Sequence, residues 1–459
     1  MISTLCAALV LTCIPQGEGP SGPGAGPGPA GQPGEAEKPK SSTPRPIYSE
    51  KLEIARAKSL NNWYDESEHW ALKGIVITSY GEFWHAVGSE ALVDALGSKQ
   101  PELNAFALET LLATDKDHLR SVMTPELLTV LTKKGLSYKH DYMHAKVVSV
   151  LERGMPQVNA DEPGDYKRWW RDNKRTFVTP KWILPDPPDG LPKAASSSSF
   201  LKRALDLNAA GMEMAIVIDT TGSMQTTIDA SAIALTEITE IMEGITPNLK
   251  VGLTEYKDYQ EFGLGGQILV KMTNKIDKVR KRLGALVANG GGDFPEAAYG
   301  ALQVALSEKM DWQRAANKVV VLISDAPCHP KNQEKMIELA KSANESPFGA
   351  DASDIIDVDE GDGRSKSKRG VRPFIISAIG VGPTGVAQPT RDSLRPLSEA
   401  GGGAYAEVHT ESSGSSQKVA TMIVKHVLSL AFGSRWKDQM DKFMTIYMEY
   451  REEGCLTKK

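Results

Sequence analysis

Residues Met212 to Met224, Met-Glu-Met-Ala-Ile-Val-Ile-Asp-Thr-Thr-Gly-Ser-Met, join a strand to a polar turn. The apolar run from Met214 to Ile218 is unbroken, which is typical of a strand buried on both faces in the middle of a parallel sheet. Asp219 ends the run, and the hydroxyl residues Thr221 and Ser223 follow at alternate positions. The sequence therefore predicts a carboxylate and two hydroxyls at the carboxyl end of a buried strand.

The spacing of apolar residues changes after this turn. They then recur every three or four positions, at Ile228, Ala232, Leu235, Ile238 and Met242. This spacing predicts a helix with one buried face. Open α/β sheets bind ligands at the carboxyl ends of their strands, so the turn is a candidate site. Its oxygen ligands suit a hard cation such as Mg²⁺ better than zinc.

Strands and helices alternate along the rest of this region. Further strands are predicted at 250–256, 265–272 (at a sheet edge), 319–324, 374–380 and 404–408, with helices at 276–287, 391–400 and 417–432. Such alternation predicts an α/β fold with a Rossmann-like, doubly wound and mainly parallel sheet. We assign this domain to residues 201–436, and a C-terminal helical tail to 437–459.

Two more stretches supply carboxylates near the carboxyl ends of the predicted strands. The apolar run 319–324 ends at Asp325. If its strand neighbours the one that ends at Asp219, the two carboxylates face one crevice. A glycine-rich loop, Asn-Gly-Gly-Gly-Asp-Phe-Pro-Glu at 289–296, can bring Asp293 or Glu296 to the same place. We favour Asp293 as the ligand, with Glu296 capping the following helix, where negative charge is favoured.

Asp219-x-Thr221-x-Ser223 resembles the D-x-S-x-S signature of von Willebrand factor A (VWA) domains. In that family the signature, a Thr of a second loop and an Asp after the fourth strand form a metal-ion-dependent adhesion site. The resemblance covers about half the chain. It implies that Asp219, Thr221, Ser223 and Asp325 hold Mg²⁺, or alternatively Mn²⁺ or Ca²⁺.

The second loop departs from the best-known members, because no Thr lies between Gly290 and Ala301. Its Gly-Gly-Gly-Asp293-x-Pro-Glu296 sequence resembles a subgroup that includes bacterial domains and one joined to an atypical kinase in slime mould. A carboxylate in place of Thr adds negative charge. The metal is then expected to be held more tightly and to depend less on an acidic side chain of a partner.

The resemblance implies a non-enzymatic module that binds a protein partner through the metal and an oxygen donor. The alternative is an enzyme, since Asp219-Thr-Thr-Gly-Ser223 also resembles the nucleophile loop of haloacid-dehalogenase-type phosphotransferases and phosphatases. There the Asp attacks phosphorus beside Mg²⁺. That chemistry needs a Lys and an acidic pair after the fourth strand, usually in a Gly-Asp-Gly context. Here the Gly-Asp-Gly sequence lies at 361–363, in a polar insertion.

The N-terminal residues suggest export. Residues 1–14 form an apolar run that is too short to span a bilayer as an ordinary helix but long enough for a signal-peptide core. Val10-Leu-Thr-Cys13 loosely resembles a bacterial lipobox, which would attach the protein to a membrane. Residues 15–46 are rich in Gly and Pro and predict a disordered tether. We therefore expect a periplasmic, cell-surface or secreted protein; an unstructured leader is the alternative.

Residues 47–160 are predicted to form an all-α domain. Residues 103–111 align with 143–151 at an offset of 40 positions, with apolar and small residues matched. This period resembles HEAT or armadillo repeats, although an ordinary helical bundle fits nearly as well. Residues 161–200 form a linker rich in aromatic residues, Pro and Ser. Its aromatic side chains are expected to pack on the preceding helices rather than to bind a ligand.

Composition narrows the function further. The chain has 53 basic and 58 acidic residues and a net charge of −5, and it lacks an aromatic-plus-basic stripe, so nucleic-acid binding is not indicated. The cysteines do not form a disulfide framework, since Cys6 and Cys13 lie in the leader and leave Cys328 and Cys455.

Two remaining segments could bind other metals. Residues 346–371 form a charged insertion, which we expect to be mobile. Its acidic pattern at Asp357, Asp359 and Asp362 is out of register with an EF-hand, so calcium binding is only an alternative. Cys328 and His329 follow Asp325 closely, but one thiol and one imidazole do not make a zinc set. We interpret them as residues at the rim of the site.

Overall fold

The computed structural model describes residues 49–183, 194–263, 265–291, 294–349, 370–410, 416–432 and 437–456. The predicted leader (1–14), the tether (15–46), Asp293 and most of the charged insertion lie outside these ranges. Within the described residues, no helix combines the length and the apolar character needed to cross a bilayer.

A six-stranded sheet is the centre of the C-terminal region. Its strands are β1 (Met212–Asp219), β2 (Leu249–Tyr256), β3 (Gly266–Thr273), β4 (Asn317–Ser324), β5 (Phe374–Gly382) and β6 (Gly402–His409). They lie in the order β3-β2-β1-β4-β5-β6. The edge strand β3 is antiparallel to β2, and all other pairs are parallel. The predicted fold class is confirmed.

The strand order puts the topological switch point between β1 and β4. Both strands are buried along their whole length, as their unbroken apolar runs predict. Ile218 pairs with Ile323 across this junction, and Asp219 pairs with Tyr256 on the other side. Because β1 and β4 are parallel neighbours, their carboxyl ends open into the same crevice.

Helices cover both faces of the sheet. The helices of this region are α9 (Ala194–Ala210), α10 (Gln225–Ile245), α11 (Tyr259–Phe262), α12 (Ile276–Leu283), α13 (Ala298–Leu306), α14 (Pro330–Glu345), α15 (Gln388–Ala400), α16 (Ser416–Ala431) and α17 (Lys437–Glu452). Helices α10, α12 and α16 pack on one face, and α13, α14 and α15 pack on the other. This three-layer arrangement buries the strands from both sides.

The N-terminal region is helical, as predicted. Its helices are α1 (Glu50–Glu66), α2 (Trp70–Thr78), α3 (Ser89–Gly97), α4 (Pro101–Ala113), α5 (Lys116–Val122), α6 (Pro125–Lys133), α7 (Asp141–Gly154) and α8 (Pro163–Asn173). Local signals set their starts: Asp115 accepts from the first backbone amides of α5, and Pro125 follows the capping Thr124 of α6. The two halves of the 40-residue offset lie on α4 and α7. A HEAT-like arrangement stays a prediction.

The aromatic residues of the predicted linker pack on this helical region. Trp170 lies on α8, is buried, and donates from Nε1 to Thr129 Oγ1 of α6 at 3.1 Å. Trp182 follows α8 and donates from Nε1 to the carbonyl oxygen of Trp84 at 3.0 Å. The chain after α8 is therefore anchored to the helical region by its indole groups.

Helix α17 joins the two regions. Phe443 stacks on Phe106 of α4 with 4.5 Å between ring centroids. Tyr450 donates to Glu109 at 3.0 Å, and Arg451 forms an ion pair with Glu237 of α10. One hydrophobic core runs from the helical region, through α17, to the face of the sheet under α10 and α16. The segment predicted as a tail is thus part of the interior.

Candidate functional site

Asp219 lies at the end of β1, at the switch point, and has no solvent exposure. Its Oδ1 accepts hydrogen bonds from the backbone N and the hydroxyl of Thr221, at 2.9 and 2.7 Å. Its Oδ2 accepts from Ser324 Oγ, at the end of β4, at 3.0 Å. Both oxygens are held by hydrogen bonds from the loop that follows β1 and from the neighbouring strand, so the carboxylate has a defined orientation.

Burial, together with the nearby carboxylate of Asp325, raises the pKa of Asp219 to about 6. The hydrogen bonds from Thr221 and Ser324 act in the opposite direction. A raised pKa means that the ionised form lacks full compensation in this environment. A bound cation would supply that compensation. The electrostatics of Asp219 therefore fit a cation site.

Of the predicted oxygen donors in the first and third loops, Thr221 bonds to this carboxylate and Asp325 lies close enough to affect its charge. Thr221 is buried beside Asp219, Ser223 is exposed at the start of the turn into α10, and Asp325 is half-buried. The backbone of Asp325 is fixed because its carbonyl accepts from Thr390 Oγ1 of α15 at 2.9 Å. The structure thus brings the first and third loops together at the carboxyl ends of β1 and β4.

The second loop lies directly against the first. The amide of Asn289 donates to the carbonyl of Thr220 at 3.1 Å, and the amide of Gly222 donates to the carbonyl of Gly290 at 3.2 Å. Gly291 has a φ of 77°, and a Cβ atom there would lie 2.9 Å from Thr221 Cβ. Glycine is therefore required at 291 for both its conformation and its close approach. Asp293 lies just beyond, outside the described residues.

Contrary to the prediction, Glu296 does not cap the next helix. Helix α13 starts at Ala298, and its N-cap position is Ala297. Glu296 is instead held in a bridge to Cys328, with its backbone amide donating to the carbonyl of Pro327 at 3.0 Å. It is buried, and its Oε1 would lie 3.0 Å from a Cβ atom placed on Gly291. Glu296 therefore connects the second loop with the loop after β4.

Three residues of this region were missed by the sequence analysis. Tyr256 ends β2 beside Asp219, and Ser324 ends β4 on the other side. Lys257 is buried and donates to the carbonyl of Thr220 at 3.0 Å and to both oxygens of Asn289. Each one ends or directly follows a predicted strand. Alignment of the strand ends was the signal that could have identified them.

The thiol and imidazole near the site have separate environments. Cys328 is buried, and burial raises the pKa of its thiol to about 11. His329 Nε2 lies 2.8 Å from Asp258 Oδ1. Across the described ranges, no three side chains of His, Cys, Asp or Glu are grouped so that they could hold a metal. The contacts of Asp219 are instead with the hydroxyl groups of Thr221 and Ser324.

Comparisons with known proteins agree with this fold. Residues 213–347 match the family model of the von Willebrand factor A domain. The chain is 30% identical over 128 residues to a putative ariadne-like RING finger protein, R811, of Acanthamoeba polyphaga mimivirus, covering 28% of this chain and 12% of that protein. It is 25% identical over 130 residues to the alpha-protein kinase vwkA of Dictyostelium discoideum, covering 28% of this chain and 20% of the kinase.

The chain thus aligns with less than a quarter of the length of either relative. A solved structure, the conserved hypothetical protein BatB from Bacteroides thetaiotaomicron, is similar at 17% identity and a TM-score of 0.29, covering 46% of this chain and 99% of that one. The family match ends at 347, while β5 and β6 complete the same sheet beyond it. The match of residues 213–347 to the family model shows that the chain contains a von Willebrand factor A domain, a fold that supports a general role in protein interaction.

Proposed function

We propose that the protein is a non-enzymatic interaction module whose VWA domain holds a divalent cation at the switch point. The buried carboxylate of Asp219 carries this proposal, because Thr221 and Ser324 hold it at the carboxyl ends of the two central parallel strands. The ligands would be Asp219, Thr221, Ser223 and Asp325, with Asp293 from the second loop. The cation would be Mg²⁺, or alternatively Mn²⁺ or Ca²⁺, since all these donors are oxygens.

The cation would supply positive charge to which an oxygen donor of a protein partner binds. Ser223 is exposed and Asp325 is half-buried, so the donor set reaches solvent on the side that faces away from the sheet. A partner can approach from that side without unfolding the loops. The helical region offers a second surface for protein contacts, and export or membrane attachment through residues 1–14 would place both outside the cytoplasm.

The alternative, a phosphotransferase with Asp219 as nucleophile, receives no support from the described residues. Asp219 has no solvent exposure, and both its oxygens accept hydrogen bonds. An attacking carboxylate needs an oxygen within reach of phosphorus. The geometry instead suits a carboxylate that stays fixed and orients ligands around a cation.

Thermal unfolding of the full chain tests the cation site. A ligand that binds only the folded state raises the melting temperature. We expect excess Mg²⁺ or Mn²⁺ to raise it by several degrees relative to chelator, and we expect Asp219→Ala to abolish this difference.

Asp206→Ala is the matched control. Asp206 is largely buried and pairs with Arg372, at the amino ends of the strands. This variant should be destabilised yet still respond to metal. If the parent protein melts at the same temperature with metal and with chelator, the cation site is wrong.

A further inference from the structure

Lys257 is a buried lysine between the first and second loops of the site. It directly follows β2, and 7% of the residue is exposed. Its Nζ donates to the carbonyl oxygen of Thr220 at 3.0 Å, and to the carbonyl and side-chain oxygens of Asn289. An ammonium group has three donors, and here three acceptors surround it. The charge is thus buried with its hydrogen bonds satisfied.

These acceptors lie at critical positions in the two loops. Thr220 lies between Asp219 and Thr221, and Asn289 is the first residue of the glycine-rich loop that leads to Asp293. Lys257 therefore binds the backbone of both loops at their roots. Its hydrogen bonds go to carbonyl and amide oxygens, so they leave the carboxylates of Asp219 and Asp325 available to a cation.

We propose that Lys257 is a positioning residue of the cation site, which holds the second loop against the first and so sets the cation affinity. This inference rests on the proposed function. Glycine-rich segments lose much conformational freedom on ordering, so an unanchored loop would have to be ordered when the cation binds. Gly290 and Gly291 both have positive φ, at 70° and 77°. Because Lys257 already holds Asn289 in place, the loop loses less conformational entropy when the cation binds.

Lys318 provides a matched control for the loss of a buried lysine. It is buried in β4, and its Nζ also donates to carbonyl oxygens, those of Arg314 at 2.5 Å, Ala316 at 3.0 Å and Arg372 at 3.2 Å. It lies near the amino end of its strand, whereas the candidate site lies at the carboxyl ends of the strands. Lys257→Met and Lys318→Met therefore remove similar groups, but only the first removes a contact to the site loops.

Two measurements on the full chain test the proposal. Calorimetric titration with Mn²⁺ should show affinity weakened by about tenfold in Lys257→Met, as is common when a residue that orients metal ligands is lost. Hydrogen–deuterium exchange without metal should show faster exchange of peptides covering 286–291 in the same variant. Lys318→Met should leave both readouts unchanged. Lys257→Arg, which keeps the charge and donors, should restore much of the affinity.

The outcomes separate this proposal from the proposed function. If Lys257→Met binds Mn²⁺ as the parent does, or more tightly, Lys257 does not set the affinity and the proposal is overturned. If the parent binds no Mn²⁺, the proposed function fails. The exchange data then decide alone whether Lys257 anchors the second loop: unchanged exchange at 286–291 in Lys257→Met excludes it.

Discussion

Ser324 Oγ donates a 3.0 Å hydrogen bond to Asp219 Oδ2 and so joins β4 to β1 at the switch point. Both residues have no solvent exposure. The hydroxyl also accepts from the amide of Ala326 at 3.1 Å, which fixes the turn that presents Asp325. One serine therefore orients the carboxylate of the first loop and shapes the third loop. The relative position of the two acidic residues depends on it.

Ser324→Ala should lower the free energy of unfolding by about 1–3 kcal/mol near neutral pH, because it leaves one oxygen of a buried carboxylate without that donor. It also removes a contact that lowers the pKa of Asp219, so that pKa should rise. Urea denaturation measures the first effect. If the cation site is real, Mg²⁺ should also raise the melting temperature less than in the parent.

Ser398→Ala is the control for this serine. Ser398 is also fully buried, but its hydroxyl donates to a neutral acceptor, the carbonyl of Leu394, at 3.0 Å. Hydrogen bonds to charged groups contribute more than those to neutral groups. Ser398→Ala should therefore lower the free energy of unfolding by less than Ser324→Ala does. Equal costs for the two variants would mean that the Ser324 contact does not act on an ionised carboxylate.

Gly291→Ala should disturb the second loop in two ways. The backbone φ of 77° disfavours a residue with a side chain, by roughly 1–2 kcal/mol. The added Cβ would also lie 2.9 Å from Thr221 Cβ, so that one loop has to move. Urea denaturation should show that the free energy of unfolding falls by more than the backbone conformational cost alone. Hydrogen–deuterium exchange should be faster in peptides that contain Thr221.

Gly81→Ala isolates the conformational term. Gly81 has nearly the same φ, 76°, but a Cβ atom there meets no other atom within 4 Å. The difference between the two variants is thus the cost of the contact with Thr221. If Gly291→Ala is no more costly than Gly81→Ala, the two loops are not packed tightly in solution.

The fold could be predicted largely from the apolar runs. Met214–Ile218 and 319–324 are unbroken, and such runs have few alternatives to a buried parallel strand. The carboxylates at their ends were predicted for the same reason. Tyr256, Ser324 and Lys257 were not, because their roles depend on the register between strands that are distant in the sequence. The predicted capping role of Glu296 was wrong because this residue bridges to Cys328 in the loop after β4, and α13 begins only at Ala298.

The position of the C-terminal helix was also hard to predict. Its apolar residues recur at helical spacing, with Met440, Phe443, Met444 and Tyr447 all buried. That pattern predicts a buried face but does not say what covers it. Helix α16 covers part of this face, and the N-terminal helical region, more than 300 positions away along the chain, covers the rest. Only the tertiary structure reveals that the segment links both regions.

Phe443→Ala should destabilise both regions together. The ring stacks on Phe106 and lies 6.5 Å from the ring of Trp70, within the continuous core. Removing a fully buried aromatic ring costs roughly 3–5 kcal/mol. Because one core serves both regions, a single unfolding transition should shift to lower denaturant concentration when it is followed by fluorescence and by circular dichroism.

Val178→Ala is the control for this substitution, because Val178 is 81% exposed and should contribute little. Two separate transitions in Phe443→Ala, with only one of them shifted, would contradict the continuous core. Unchanged stability would mean that α17 does not dock on α4 in solution.

Lys318→Met should change how stability depends on pH. Burial is the main cause that lowers the pKa of Lys318 to about 7; Glu213 opposes it, and the neighbouring Arg372 and Arg314 add to it. In the unfolded chain a lysine titrates near ~10.4, so between these values the unfolded state binds more protons and stability rises with pH. Parent stability should therefore increase relative to Lys318→Met from about pH 7 to about pH 9, by at most ~1.4 kcal/mol per pH unit. Urea denaturation of both proteins across this pH range measures the difference. Lys271→Met is the control: the side chain of Lys271 is 60% exposed, so the stability of this variant should depend on pH as that of the parent does. Parallel pH profiles for the parent and Lys318→Met would show that Lys318 stays charged in the folded protein, held by its three carbonyl acceptors.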